Sequence, residues 1–246
     1  MPFKQCNLRQ VGAMVISAVT CLLQISTAQA QITVSKSVLE FSSGNLIQDV
    51  EIQNSADYKI FLNMSVAHIL DPAEISPTRV ELTDPRTSPV LVSPKQLLIP
   101  PGQRKRLRVI LRQPPTDIDS IYRLTIKPFI GDVEISSDGS GGKASALKVL
   151  LGYDLLLVAR PENAHPELDV ERTEQYLRFA NKGNTNILIR RMIQCDRSGE
   201  DCVNLQPNRL YAGETYEVEL PKQGSAEQFP VQVWQAVGLK NAMNTY

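Results

Sequence analysis

Leu147-Lys148-Val149-Leu150-Leu151-Gly152-Tyr153-Asp154-Leu155-Leu156-Leu157-Val158-Ala159-Arg160-Pro161 holds the longest apolar run after the first thirty residues, and its reading decides the fold. Every second residue from Leu147 to Leu157 is apolar, which is the period of a β-strand with one greasy face. The other face carries Lys148, Gly152 and Asp154 together with Leu150 and Leu156. Two readings fit. The run is either a central strand buried in its own sandwich or an edge strand that lends its stripe to another protein. It stops at Arg160-Pro161, where proline removes a backbone donor and fixes a bend. A domain boundary is expected there.

Upstream, Ile32 to Phe41, Leu46 to Gln53, Ile60 to Ile69, Leu97 to Leu111 and Ile121 to Ile130 are short runs rich in Val, Ile and Leu. Ser43-Gly44-Asn45, Asn54-Ser55-Ala56-Asp57 and Pro100-Pro101-Gly102 separate them as turns. Ser136 to Gly142 is flexible by composition. Downstream the pattern restarts with Tyr176 to Ala180, Ile187 to Gln194, Thr215 to Leu220 and Phe229 to Val237, and Asn181-Lys182-Gly183-Asn184 turns between the first two. No helical stripe is sustained over three turns, and 16 prolines argue against long helices. The expected fold is all-β, built as sandwiches.

Residues 1–30 read as a cleavable secretory signal peptide, with Lys4 and Arg9, an apolar stretch from Val11 to Ile25, and Ala28-Gln29-Ala30 at the cleavage site. A membrane anchor is the competing reading, but Ser17, Thr20 and Gln24 interrupt a short run. The remaining 216 residues suffice for two domains, 31–160 and 161–246. Without Lys4 and Arg9 they hold 24 cations against 26 acidic residues, a net charge of −2. Such a balance gives no reason to expect a nucleic-acid partner.

Cys6 and Cys21 leave with the signal, so Cys195 and Cys202 remain. In an exported chain this close pair reads as one disulfide around a small loop. Free thiols or half of a zinc site compete, but His68 and His165 are the only histidines available as further ligands. Neither histidine has a nucleophile or paired carboxylates beside it in sequence, and no glycine-rich phosphate loop is present. The chain is therefore read as a binding protein without cofactor, metal or small-molecule substrate, and not as an enzyme. A glycan-cleaving sandwich enzyme would need a carboxylate pair that is not evident. Arg104-Lys105-Arg106, Arg108 and Arg112 form a basic group, with Arg106, Arg108 and Arg112 opposite Leu107, Val109 and Leu111. It reads as a solvated sheet face or as an electrostatic patch for a partner.

The order of these segments resembles the periplasmic chaperones of the chaperone–usher pathway, the PapD-like superfamily. The resemblance rests on Leu91-Val92-Ser93-Pro94, Leu97 to Gly102, Leu107-Arg108-Val109, Ile121-Tyr122-Arg123-Leu124 and Leu147 to Leu157 followed by Ala159-Arg160-Pro161. Asn181-Lys182-Gly183-Asn184 with the Cys195/Cys202 pair is most similar to the alternate branch that serves class 5 fimbriae. The resemblance implies two immunoglobulin-like β-sandwich domains in a boomerang arrangement. It also implies a periplasmic chaperone that completes fimbrial (pilin) subunits with an edge strand and passes them to an outer-membrane usher.

On that resemblance the donated residues are Leu147, Val149 and Leu151, with Leu150 on the opposite face toward the chain's own core. The open edge would also permit self-association. The resemblance further implies cations for the subunit's C-terminal carboxylate. The usual lysine and arginine positions hold Leu156 and Val38, which leaves Lys36, Arg123 and Arg160 as nearby candidates beside the reading of all three as ordinary solvated charges. A structural or adhesive subunit of a surface fibre is the alternative function. Such a subunit would be expected to carry a donor extension and a single incomplete domain.

Overall fold

The computed structural model describes residues 31–129, 151–238 and 240–246. Ser136 to Gly142 and residues 1–30 therefore lie outside the described residues. Among those described, the regular elements are strands: β1 (Ile32–Val34), β2 (Val38–Phe41), β3 (Ile47–Asn54), β4 (Ile60–Leu70), β5 (Thr78–Glu81), β6 (Val90–Ser93), β7 (Gln96–Ile99), β8 (Arg104–Leu111) and β9 (Ser120–Phe129). They continue as β10 (Tyr153–Ala159), β11 (Leu168–Arg172), β12 (Tyr176–Asn181), β13 (Ile187–Cys195), β14 (Cys202–Leu205), β15 (Asn208–Leu210), β16 (Thr215–Glu219), β17 (Val231–Val237) and β18 (Lys240–Thr245).

Strands before Arg160 build two facing sheets, ordered β1-β3-β8-β6 and β2-β10-β9-β4-β5, with β7 also on β4. Their inner faces meet in one core that includes Val50, Ile52, Leu107 and Val109 from the first sheet and Leu62, Leu124, Leu155 and Leu157 from the second. Strands after Pro161 build a second pair, β11-β12-β16 and β14-β13-β17-β18, with β15 on β13. These enclose a separate core around Leu177, Phe179, Ile189, Met192, Val231 and Val233.

Two long runs of the sequence are each broken in the structure. Ile32 to Phe41 becomes β1 and β2 in different sheets, because Ser35-Lys36-Ser37 carries the chain across: Ser35 N donates to Glu51 O of one sheet, and Ser37 O accepts from Leu156 N of the other. Leu97 to Leu111 is cut by Pro100-Pro101-Gly102, where Gly102 has φ 68°, a conformation glycine adopts without strain. Strands β5, β11, β14, β15 and β18 are short, marginal or mostly exposed, and carry no strong apolar alternation to announce them.

A buried asparagine seals a turn in each sandwich. Asn54 Nδ2 donates to Tyr58 O and Ile99 O at 2.7 and 2.9 Å. Asn181 Nδ2 reaches Thr185 O, Leu210 O and Tyr211 O. Gly183, in the second of these turns, is obligatory: a Cβ there would sit 2.1 Å from His165 O.

The disulfide between Cys195 and Cys202 is formed, across the first register pair of the β13–β14 hairpin. Its cysteines are only 7 positions apart, so replacing both by serine is expected to cost about 2–3 kcal/mol. Denaturation of the double variant checks this, with the second core weakened and the first unchanged. Intact mass under non-reducing conditions should be two hydrogens below the reduced chain.

The basic group faces solvent opposite Leu107 and Val109, as alternation requires. It is largely paired. Arg108 Nε donates to Asp49 Oδ1 at 2.9 Å, Arg106 lies 3.8 Å from the same carboxylate, and Arg104 pairs with Glu51 at 3.2 Å. Arg108 holds the Asp49 carboxyl below the usual carboxylate range. Arg112 instead donates to the carbonyls of Pro85 and Arg86.

Candidate functional site

Strand β10 is flanked unequally. On one side it pairs antiparallel with β9 along its whole described length, Tyr153↔Ile126 to Ala159↔Ser120. On the other it pairs parallel with β2 only from Leu156↔Val38 to Ala159↔Phe41. Leu156 N donates to Ser37 O and Arg160 N to Phe41 O. Alternate residues of a strand present their backbone groups to the same side, so those of Asp154 and Gly152 face an edge that β2 does not cover. Tyr153 fastens the start of this edge to the other sheet, its hydroxyl donating to Ile32 O at 2.8 Å.

Leu151 leads into the edge and is 57% exposed. Gly152 follows because the backbone runs close to β9, where a Cβ would lie 2.9 Å from Ile126 O. Leu147, Val149 and Leu150 lie outside the described residues. Within β10 the two faces are distinct. Tyr153, Leu155, Leu157 and Ala159 enter or pack on the first core, while Leu156 and Val158 lie on the opposite face. The C-terminal half of the greasy stripe thus belongs to an ordinary buried strand.

That opposite face joins the two sandwiches. Leu156 and Val158 cluster with Ala67, Ile69 and Ile121, and Tyr211 of the second sandwich packs against them. Arg123 is the cross-strand neighbour of Leu156, whose other neighbour is Val38. Arg123 is therefore next to one of the two positions where the resemblance expected cations, with the other one strand beyond it. Its Nη1 donates to Asp154 O at 3.4 Å, and its Nε lies 3.9 Å from Asp154 Oδ2. Burial raises the Tyr211 phenol above its ordinary value, against the pull of Arg209 and Arg123.

The other two cations are placed differently. Lys36 is exposed, and its Nζ donates to Gln48 Oε1 at 3.0 Å on the first sheet. Arg160 is 7% exposed and engaged at the junction. Its Nη2 donates to Glu40 Oε2 at 3.2 Å, and its Nη1 donates to Thr185 Oγ1 and lies 3.9 Å from Asp119 Oδ2. Asp119 in turn accepts from Thr185 Oγ1 at 2.8 Å and Asn186 N at 2.6 Å, as well as from Asn186 Nδ2. Arg209 closes the network, donating to Asn186 Oδ1 and lying 3.8 Å from Glu40 Oε1. Two guanidiniums and two carboxylates balance there. Asn184 adds a neutral tie, its Nδ2 donating to Asp117 O and Asn163 O.

Glu40, Asp119 and Arg209 carry no local motif, and only the placement of Arg160 beside the bend pointed toward them. Of the histidines, His68 packs against Tyr122 with ring centroids 4.9 Å apart and planes tilted by 31°, and burial lowers its pKa. His165 is exposed, with Nε2 3.4 Å from Glu167.

No protein-family model matches the chain, and no curated protein matches it in sequence. Solved structures do match. The crystal structure of the class 5 fimbriae chaperone CfaA is 15% identical, covering 87% of this chain and 98% of that one, with a TM-score of 0.60. The Salmonella enterica SafA pilin in complex with the SafB chaperone gives 15% identity, 90% and 98% coverage and a TM-score of 0.59. The CsuC–CsuE chaperone–tip subunit pre-assembly complex from the archaic chaperone–usher Csu pili of Acinetobacter baumannii gives 14%, 88%, 98% and 0.54. At such identities the likeness is one of fold, and the fold this chain carries is the two-domain, all-β fold of the fimbrial chaperones.

Proposed function

We propose that the chain is a periplasmic chaperone of fimbrial subunits. It holds them by lending an edge strand and delivers them to an outer-membrane usher. Residues 1–30 direct export, 31–160 form the domain that lends the strand, and 161–246 form the second domain. One observation carries the reading: β10 loses its β2 neighbour before Leu156, beside the exposed Leu151. An uncovered edge with an apolar residue is a hazard unless a partner pairs with it, and strand addition supplies both backbone hydrogen bonds and side-chain pockets. The similarity in fold to chaperones solved with pilin and tip subunits supports the same partner class. Leu147, Val149 and Leu151 are the donated residues, and Arg123 is the cation for the subunit's terminal carboxylate.

Co-expression with subunits encoded beside this chain's gene, followed by co-purification, tests the reading. No capture of any such subunit would end it. Arg123→Ala is expected to weaken capture by about tenfold or more, the worth of a charge-assisted hydrogen bond. Lys36→Ala, whose Nζ is held by Gln48 of the other sheet, should leave capture unchanged. Pull-down titrations of the two variants provide the measurement.

A further inference from the structure

Asp154 sits on the face of β10 that carries Leu156, and three side chains converge on it. Arg79 of β5 reaches across to donate to Oδ1 at 2.7 Å, and Thr125 Oγ1 donates to the same oxygen at 2.9 Å. Arg123 holds Asp154 only through the 3.4 Å and 3.9 Å contacts. The division is unequal. Arg79 makes the short charge-assisted bond, while Arg123 keeps two long contacts and remains 37% exposed in its side chain. Two guanidiniums face one carboxylate, leaving a surplus positive charge beside the apolar shoulder of Ile69, Ile121 and Leu156.

We infer that Asp154 is an internal competitor for the Arg123 guanidinium, and that Arg79, by taking up Asp154, sets how much of Arg123 is left for a partner's carboxylate. The inference rests on the assignment of Arg123 as the carboxylate anchor. It adds two positioning residues, Arg79 and Asp154, whose effects have opposite sign. Removing Arg79 leaves Asp154 to Arg123 alone and lowers its availability. Removing the charge of Asp154 releases Arg123. Removing both restores the balance, because the net charge at the site is then unchanged.

The test uses the whole protein and a probe that needs no subunit. N-acetylleucine, with a free carboxylate, and its uncharged amide are titrated while the arginine Nε–Hε signals are followed by NMR. Arg79→Met should weaken carboxylate binding by about fivefold and Asp154→Asn should tighten it by about fivefold, the scale of one half-exposed charge pair. The double variant should return to within about twofold of the parent by the same balance. The amide should show none of these changes. Thr125→Val removes a hydrogen bond from Asp154 without altering charge, and should leave the affinity close to the parent's. If instead Asp154→Asn weakens binding as Arg79→Met does, and the double variant is worse than either, the three residues are only a structural clamp and the inference fails. It fails equally if N-acetylleucine leaves the Arg123 signal unmoved. Subunit capture is scored separately, so a protein that follows the charge pattern yet captures no subunit would overturn the proposed function and leave this inference standing.

Discussion

Arg160→Met is expected to destabilise the protein by about 3–5 kcal/mol, the usual loss when one partner of a buried ion pair is removed and its counter-charges stay behind. Glu40 lies 3.2 Å and Asp119 3.9 Å from its guanidinium. The side chain of Asp119 is 3% exposed, so water cannot replace the lost cation there. Arg209 stays 3.8 Å from Glu40, so Asp119 is the carboxylate left worst compensated. Denaturant titrations of the parent and variant measure the loss. Adding Asp119→Asn to Arg160→Met should recover much of it, because Glu40 then keeps Arg209 as its counter-charge and one cation again faces one carboxylate. A single variant as stable as the parent would show that the network contributes nothing net.

The same residue marks where sequence reasoning stops. The apolar run from Leu147 to Ala159, the glycine turns and the close cysteine pair are short-range patterns, and each is visible in a few consecutive residues. Glu40 and Arg160 are 120 positions apart, and no local period links them to Asp119 or Arg209. Ile32 to Phe41 misled for a related reason: a strand that changes sheets keeps the same composition on both sides of Ser35-Lys36-Ser37. The face of β10 was also not legible, because every residue from Leu155 to Ala159 is apolar. Only the contacts separate Leu157, in the first core, from Leu156, at the junction. Arg123 was visible as a cation near the right segment, but its pairing with Leu156 across β9 and β10 required the register.

Charged substitutions along the stripe are expected to divide sharply at Gly152. If Leu147, Val149 and Leu151 fill a subunit's groove, their combined burial contributes about 5–9 kcal/mol before ordering costs. An aspartate at any one of them loses its share and forces a carboxylate into an apolar groove. Capture should then fall by about a hundredfold or more. The free protein should barely notice Leu151→Asp, since Leu151 already stands 57% exposed. Leu157→Asp is the contrast. Leu157 has no exposed surface and lies in the first core, so an unpaired charge there should unfold the domain whether or not a subunit is present. Thermal melts of the variants, read beside subunit pull-downs, separate the outcomes. Loss of capture with an unchanged melt at Leu147, Val149 and Leu151, against a collapsed melt at Leu157, is the pattern of a lent edge strand. Undiminished capture by all three stripe variants would remove strand donation as the mechanism, even if the chain still bound subunits through Arg123.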